Sequence, residues 1–278
     1  MASVWRAEHL MLKTDVAVKF LEIRTAAGDE LRERFLREAR VVAQVRHRNV
    51  VQVLDFGASP EGRPYMVMEM LAGRTLAARV SEEGRLETVA ALRVVARLAA
   101  GLGAAHVAGI VHRDVKPENV FLVRDGADEY PKLIDFGISR VMRKQRGVSS
   151  VVETAEDLIV GTPEYMSPEQ ARGSSDLDAR SDVYSAALVL YELLTGLSPF
   201  QAELPGDIVA KILTTRPPPL RELRPDLSPA LVGAVEEAMS FERERRPADG
   251  NAFRRTLVEA SAELTGDTTG RFARVDTG

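Results

Sequence analysis

Four short clusters in this 278-residue chain combine charged and hard-oxygen side chains at set spacings. Val16-Ala17-Val18-Lys19 ends an alternating run on a lysine, and Glu38 follows on an amphipathic stretch. His112-Arg113-Asp114-Val115-Lys116-Pro117-Glu118-Asn119 places a lysine two residues, and an amide five residues, after an aspartate. Asp135-Phe136-Gly137 adds a second aspartate, and Ser167-Pro168-Glu169 comes later. Each alone has a plain reading: a strand-ending surface lysine, a charge on a solvated helix face, a chance tripeptide. Together, and in this order, they supply what phosphoryl transfer needs. A lysine neutralises the α- and β-phosphates, a carboxylate holds that lysine, and an aspartate accepts the hydroxyl proton. An amide and a second aspartate offer hard oxygens to magnesium.

These groups need a scaffold, and the patterning of the chain predicts one. Ser3–Glu8 and Asp15–Glu22 alternate as strands. After Gly28, Leu31, Phe35, Ala39, Val42 and Val45 recur at steps of three and four, which predicts a helix carrying Glu38. Asn49–Phe56 and Pro64–Glu69 read as two more strands across the turn-rich Ser59-Pro60-Glu61-Gly62. That order predicts a small sheet with one packed helix. Beyond Gly73 the helices Leu86–Ala108, Arg180–Thr195, Ala230–Met239 and Ala248–Leu264 are expected, with very short strands at Asn119–Val123 and Lys132–Ile134. The expected organisation is one domain over 1–264, with a β-rich lobe 1–69, a hinge 69–73 and a helical lobe 74–264. A flexible tail over 265–278 is expected to follow.

Composition narrows the function. The net charge is −4, and the 37 basic and 41 acidic residues interleave, so no basic stripe points to nucleic acid. Cysteine is absent, which excludes a disulfide framework, a Cys-ligated zinc site and a cysteine nucleophile. Its absence fits a reducing, cytoplasmic setting. Met1–Leu10 carries Glu8 and His9 and has no apolar core of a signal peptide. The apolar stretch Leu92–Val111 is broken by Arg93 and Arg97, and Val183–Leu194 is short and holds Glu192. A spanning helix needs about 20 apolar residues, so no membrane segment is expected.

The joint set resembles the eukaryotic-like serine/threonine protein kinases of bacteria, from Met1 to about Leu264. The likeness rests on Val4-Trp5-Arg6-Ala7, Val16–Lys19, Arg37-Glu38-Ala39, His112–Asn119, Asp135–Gly137, Gly161–Glu169 and Asp182-Val183-Tyr184-Ser185. It implies a bilobal α+β protein-kinase-like fold, ATP with Mg²⁺ (Mn²⁺ as the alternative metal), and serine or threonine hydroxyls of protein substrates as acceptors in signalling. Lys19 would bind the α- and β-phosphates and pair with Glu38. Asp114 would orient the hydroxyl and accept its proton, Lys116 would reach the γ-phosphate, and Asn119 and Asp135 would hold the metal. Val4 and Ala17 would roof the adenine and Phe121 would floor it. Met68 would be the gatekeeper, and the backbones of Glu69 and Leu71 would meet the adenine edge. Val42, Val53, Phe136 and His112 would stack as a spine. Glu169 would pair with Arg246, Asp182 would brace the catalytic loop, and Thr162 would belong to the substrate platform. Arg113 implies phosphorylation of the following loop, with Ser149, Ser150 and Thr154 as candidate sites, and autophosphorylation implies a transient homodimer. Glu118 and Glu192 stand where some members hold a substrate arginine, although a solvated Glu118 and an internally paired Glu192 are the favoured reading.

One element departs from the pattern. In G-x-G-x-x-G-x-V the final valine aligns with Val4 and the third glycine falls on Ala2, so the glycine-rich loop and the first strand are missing from this sequence. The expectation is a physiological protein that begins upstream of Met1 and carries that loop. The alternative is a catalytically weak pseudokinase acting as a scaffold. A small-molecule phosphotransferase of the same architecture is the third class, disfavoured because Gly161–Glu169 suits a peptide platform.

Overall fold

Strict alternation in Pro64–Glu69 puts Pro64, Met66 and Met68 on one buried face, and the strand forms over the whole of that range. The computed structural model describes residues 2–21, 33, 36, 39–126, 128–136 and 163–265. Its first sheet is antiparallel: β1 (Ala2–His9), β2 (Thr14–Leu21), β3 (Val53–Ala58) and β4 (Pro64–Glu69), in the order β1-β2-β4-β3. Of the helix expected to carry Glu38, the described last turn covers 39–42, and its Ala39 and Val42 are buried in the core.

The strand expected over Asn49–Phe56 begins only at Val53. The residues before it are drawn to the other lobe. Leu133 N–H donates to the Asn49 carbonyl at 2.8 Å, and Val51 N–H donates to the Leu133 carbonyl at 2.9 Å. A backbone has one donor and one acceptor per residue, so groups used across the lobes are not free for the first sheet.

The second sheet is β5 (Gly73–Thr75), β6 (Val120–Asp125) and β7 (Asp128–Leu133). The strand expected at Lys132–Ile134 thus starts earlier and ends before Ile134, because Asp125 and Asp128 close a hairpin. The helices are α1 (Leu76–Glu83), α2 (Thr88–Val107), α3 (Pro168–Ala171), α4 (Ala179–Thr195), α5 (Pro205–Thr214), α6 (Leu220–Leu223), α7 (Pro229–Ala238) and α8 (Gly250–Thr265). The molecule is therefore a β-sheet lobe joined to a helical lobe, the bilobal α+β arrangement.

α4 is buried on every side from Ser181 to Tyr191, and α2, whose Leu92, Val95, Leu98 and Leu102 are buried, packs on it. Among the described residues α2 alone is long and apolar enough to cross a membrane, by length and composition, and most of it is buried inside the lobe. α8 crosses α2 at very short range: a Cβ on Gly250 would stand 2.4 Å from the Ala99 carbonyl oxygen and 2.5 Å from Gly103 N. Only glycine permits that approach.

Candidate active site

The register of the first sheet brings together the side chains expected to face the nucleotide. Val4 lies opposite Lys19, Lys19 opposite Met66, and Ala17 opposite Met68. Residues directly opposite share a face, as do residues two apart, so Val4, Ala17, Lys19, Met66 and Met68 line one side. Met68 is buried, Ala17 and Leu71 are half-buried, and Val4 is 60% exposed. Phe121 belongs to the second sheet, opposite Thr75. The chain passes it at Gly73, whose φ is +152°; a Cβ there would lie 1.9 Å from the Leu122 carbonyl oxygen.

Lys19 Nζ bonds Asp135 Oδ1 at 2.7 Å. Glu38, the expected partner of Lys19, lies outside the described residues, as do Ser149, Ser150, Thr154 and Thr162. Asp135 has φ +57° and Arg113 has φ +66°, both left-handed for residues with a Cβ. Such a conformation costs about 1–3 kcal/mol and persists only where its surroundings hold it. Arg113 is held on both sides: its N–H donates to Asp182 Oδ1 at 2.7 Å, and its carbonyl accepts from Gln170 Nε2 at 2.8 Å.

Asp182 is 1% exposed and stands in the first turn of α4, where the helix dipole favours a carboxylate. Its Oδ2 also accepts from His112 N–H at 2.6 Å and lies 2.9 Å from His106 Nε2. His106 Nδ1 accepts from Gly250 N–H at 3.1 Å, so the ring proton sits on Nε2 and is donated to Asp182. Burial pushes the His112 imidazole pKa down against the neighbouring carboxylates. The neutral ring accepts from Asp114 N–H at Nδ1, bonds the Ile134 carbonyl through Nε2, and lies 4.6 Å from the Phe136 ring. Phe136, Val42 and Val53 are buried in one core cluster.

Among the described residues, Asn119 and Lys116 face the Asp114 carboxylate. Asn119 Nδ2 reaches both its Oδ2 and its carbonyl at 2.8 Å, and Lys116 Nζ lies 3.4 Å from Oδ2. Ile134 N–H donates to the Asn119 carbonyl, which sets the segment before Asp135 beside the loop His112–Asn119. The Asn119 amide nitrogen is used on Asp114 and one Asp135 oxygen on Lys19, and among the described residues the other side-chain oxygen of each has no hydrogen-bond partner. Two hard oxygens on adjacent segments are the donor chemistry that suits magnesium.

The platform beyond the loop carries Tyr165, whose hydroxyl donates to Glu192 Oε2 at 2.5 Å. Burial pushes the Glu192 carboxyl up, and the Glu164 and Glu118 charges push the same way. Glu192 is thus internally held, while Glu118 is exposed. Glu169 meets Arg246 in a bidentate pair at 2.7 and 3.0 Å and accepts from Ser181 Oγ at 2.6 Å. Burial raises the Glu169 carboxyl, but the Arg246 and Ser181 bonds outweigh it and bring it from 4.5 to about 2. As pH falls, the unfolded chain therefore takes up this proton first. The stabilisation is complete above about 4.5 and disappears toward 2, roughly 3 kcal/mol in all. Urea midpoints measured from pH 7 to pH 3 should fall more steeply for the native chain than for Glu169→Gln; parallel curves would refute the assignment.

Sequence patterning does not point to His106, Gln170 or Lys132. Lys132 Nζ bonds Glu69 Oε1 at 2.6 Å, and Gln52 N–H donates to the same oxygen at 2.7 Å, so the hinge carboxylate ties the lobes together. No spacing rule joins Glu69 to a lysine 63 residues away.

The family profile of the protein kinase domain matches residues 1–252. Serine/threonine-protein kinase pkn3 of Myxococcus xanthus is 38% identical over 266 residues, covering 95% of this chain and 48% of that protein. Serine/threonine-protein kinase PknB of Mycobacterium tuberculosis is 39% identical over 261 residues, covering 93% of this chain and 40% of that protein. The chain thus spans less than half the length of these curated relatives. The crystal structure of the Mycobacterium tuberculosis PknI kinase domain superposes with a TM-score of 0.72 at 28% identity, covering 94% of this chain and 91% of that one.

Proposed function

Since the chain belongs to the protein kinase domain family, we propose that it transfers the γ-phosphate of ATP to serine and threonine hydroxyls of protein substrates in the bacterial cytoplasm. The observation that carries the reading is the Asp114 carboxylate, oriented by Asn119 at 2.8 Å with Lys116 at 3.4 Å. Asp114 positions the acceptor hydroxyl and takes its proton, and Lys116 and Lys19 balance phosphate charge. Asn119 and Asp135 would hold Mg²⁺, which supplies further charge neutralisation at the phosphates. Lys19 exchanges its bond with Asp135 for the α- and β-phosphates when nucleotide binds. Ala17, Met68 and Phe121 enclose the adenine.

The assay is transfer of labelled phosphate to casein, against a sugar and an aminoglycoside, with and without Mg²⁺. Transfer to casein alone is expected; transfer to the small molecules, or nucleotide binding with no transfer, would overturn the reading in favour of the other two classes. Lys19→Met should lower turnover about a hundredfold, the scale of a lost charged contact to a developing transition state. Unchanged turnover would assign the phosphate contact to another lysine. Autophosphorylation in a transient homodimer is expected between Asp135 and Thr162, with Ser149, Ser150 and Thr154 as the first sites. Mass spectrometry of protein expressed alone tests this, and phosphate confined to 265–278 would refute it.

A further inference from the structure

On α1, α2 and the β6–β7 hairpin lies a cleft of about 360 Å³ whose lining includes none of the residues read as the transfer site. Four arginines line it, Arg79, Arg93, Arg97 and Arg124, against two carboxylates, Asp128 and Glu129. This local excess of positive charge stands in a chain of net charge −4. Arg93 and Arg97 are four apart on α2, with Val94 between them and buried, so they stand on one face over an apolar strip that Pro131 extends.

The four guanidinium groups differ in what they already hold. Arg97 donates to the Glu129 carbonyl at 3.2 Å and to Asp128 at 3.5 Å, and Arg79 pairs with Glu83 at 3.0 Å and Glu129 at 3.1 Å. Those two are oriented in advance. Arg93 is exposed and makes no hydrogen bond or ion pair with any described residue. The Arg124 side chain is 68% exposed, with Glu129 no nearer than 3.9 Å. An arginine offers a planar fork of donors that matches a carboxylate, and two such forks here are open to a ligand.

We propose that this cleft is a docking site for an acidic peptide segment of a protein partner, with carboxylates on Arg93 and Arg124 and an apolar side chain against Val94 and Pro131. Its volume lies near the lower end of the range of small-ligand sites, about 300–1,000 Å³. β6 leaves the catalytic loop at Asn119 and reaches the hairpin six residues later, about 20 Å at the usual rise per residue, so a docked segment leaves Asp114 free. The proposal goes beyond the transfer reaction and its binding test does not depend on it.

The probe is a fluorescein-labelled peptide of glutamates flanking a central leucine, read by fluorescence anisotropy on the whole chain. Three comparison probes are the same peptide with lysines, one with phosphoserines and inorganic phosphate as competitor. The glutamate peptide should bind saturably and lose about tenfold or more in affinity in Arg93→Glu/Arg124→Glu, and also in the milder Arg93→Gln/Arg124→Gln. Transfer to a short peptide substrate without acidic residues should be unchanged in both variants, since neither arginine touches the transfer machinery. No saturable binding, equal binding of the lysine peptide, or equal affinity in native and variant chains would overturn the proposal. Binding of the phosphoserine peptide alone, or displacement by phosphate alone, would replace it with a phosphate site.

Discussion

Asp114→Asn should abolish phosphoryl transfer, by about a hundred- to ten-thousandfold, while folding and nucleotide binding stay near native. The amide is nearly the same size as the carboxylate, and its oxygen still accepts from Asn119 Nδ2, the 2.8 Å bond that orients the side chain. What it lacks is a site for the hydroxyl proton at neutral pH. A proton acceptor acts in the transition state, so the loss belongs in kcat and not in the affinity for ATP. Single-turnover transfer with labelled ATP, beside the melting temperature and nucleotide affinity of the same preparation, makes the test. Near-native turnover in the variant would remove Asp114 from the chemistry. A loss that tracks a lowered melting temperature would make its role structural.

Arg246→Ala should be the most destabilising single change in the helical lobe. The Arg246 side chain is wholly buried and donates to both oxygens of Glu169 and to the Ser240, Phe241 and Arg180 carbonyls, and its guanidinium lies 4.7 Å from the Tyr184 ring centre. Truncation leaves the Glu169 carboxylate buried with, among the described residues, only Ser181 as a side-chain donor. Breaking a buried pair by removing one partner costs about 3–5 kcal/mol. Domains have about 5–15 kcal/mol in all, so a large drop in melting temperature follows. Arg246→Met with Glu169→Leu should recover much of the loss, because removing both charges removes the stranded carboxylate. Urea unfolding of the single and double variants measures both. A single-variant loss under 1 kcal/mol, or a double variant no better than Arg246→Ala, would contradict this account.

The local chemistry of the site is legible in the order of the residues. His112–Asn119 works through contacts a few residues apart, such as Asn119 to Asp114, so its spacing carries its geometry. The alternation of Pro64–Glu69 and the apolar run through α4 likewise encode their own elements, because the side-chain period decides which face is buried. The family resemblance adds pairs that periodicity does not contain, notably Glu169 with Arg246. α1 is not legible, since Leu76 is its only buried residue and a single apolar contact leaves no period to read.

What the patterning of the chain does not contain is the meeting of distant segments. Val50 and Val51 have the composition of a strand, yet the backbone around them pairs with Leu133 across the lobes, so β3 starts later. Glu69 finds Lys132, and Asp182 gathers His106 and the two backbone amides that hold Arg113 in its left-handed conformation. The physical reason is the same in each case. Periodicity states that a face must be buried or a polar group satisfied, but the partner is chosen by how the lobes pack, and loop closure adds little cost that depends on separation along the chain. The sequence of this protein by itself therefore determines what each element must bury or satisfy, and the tertiary structure alone decides which distant group meets each demand.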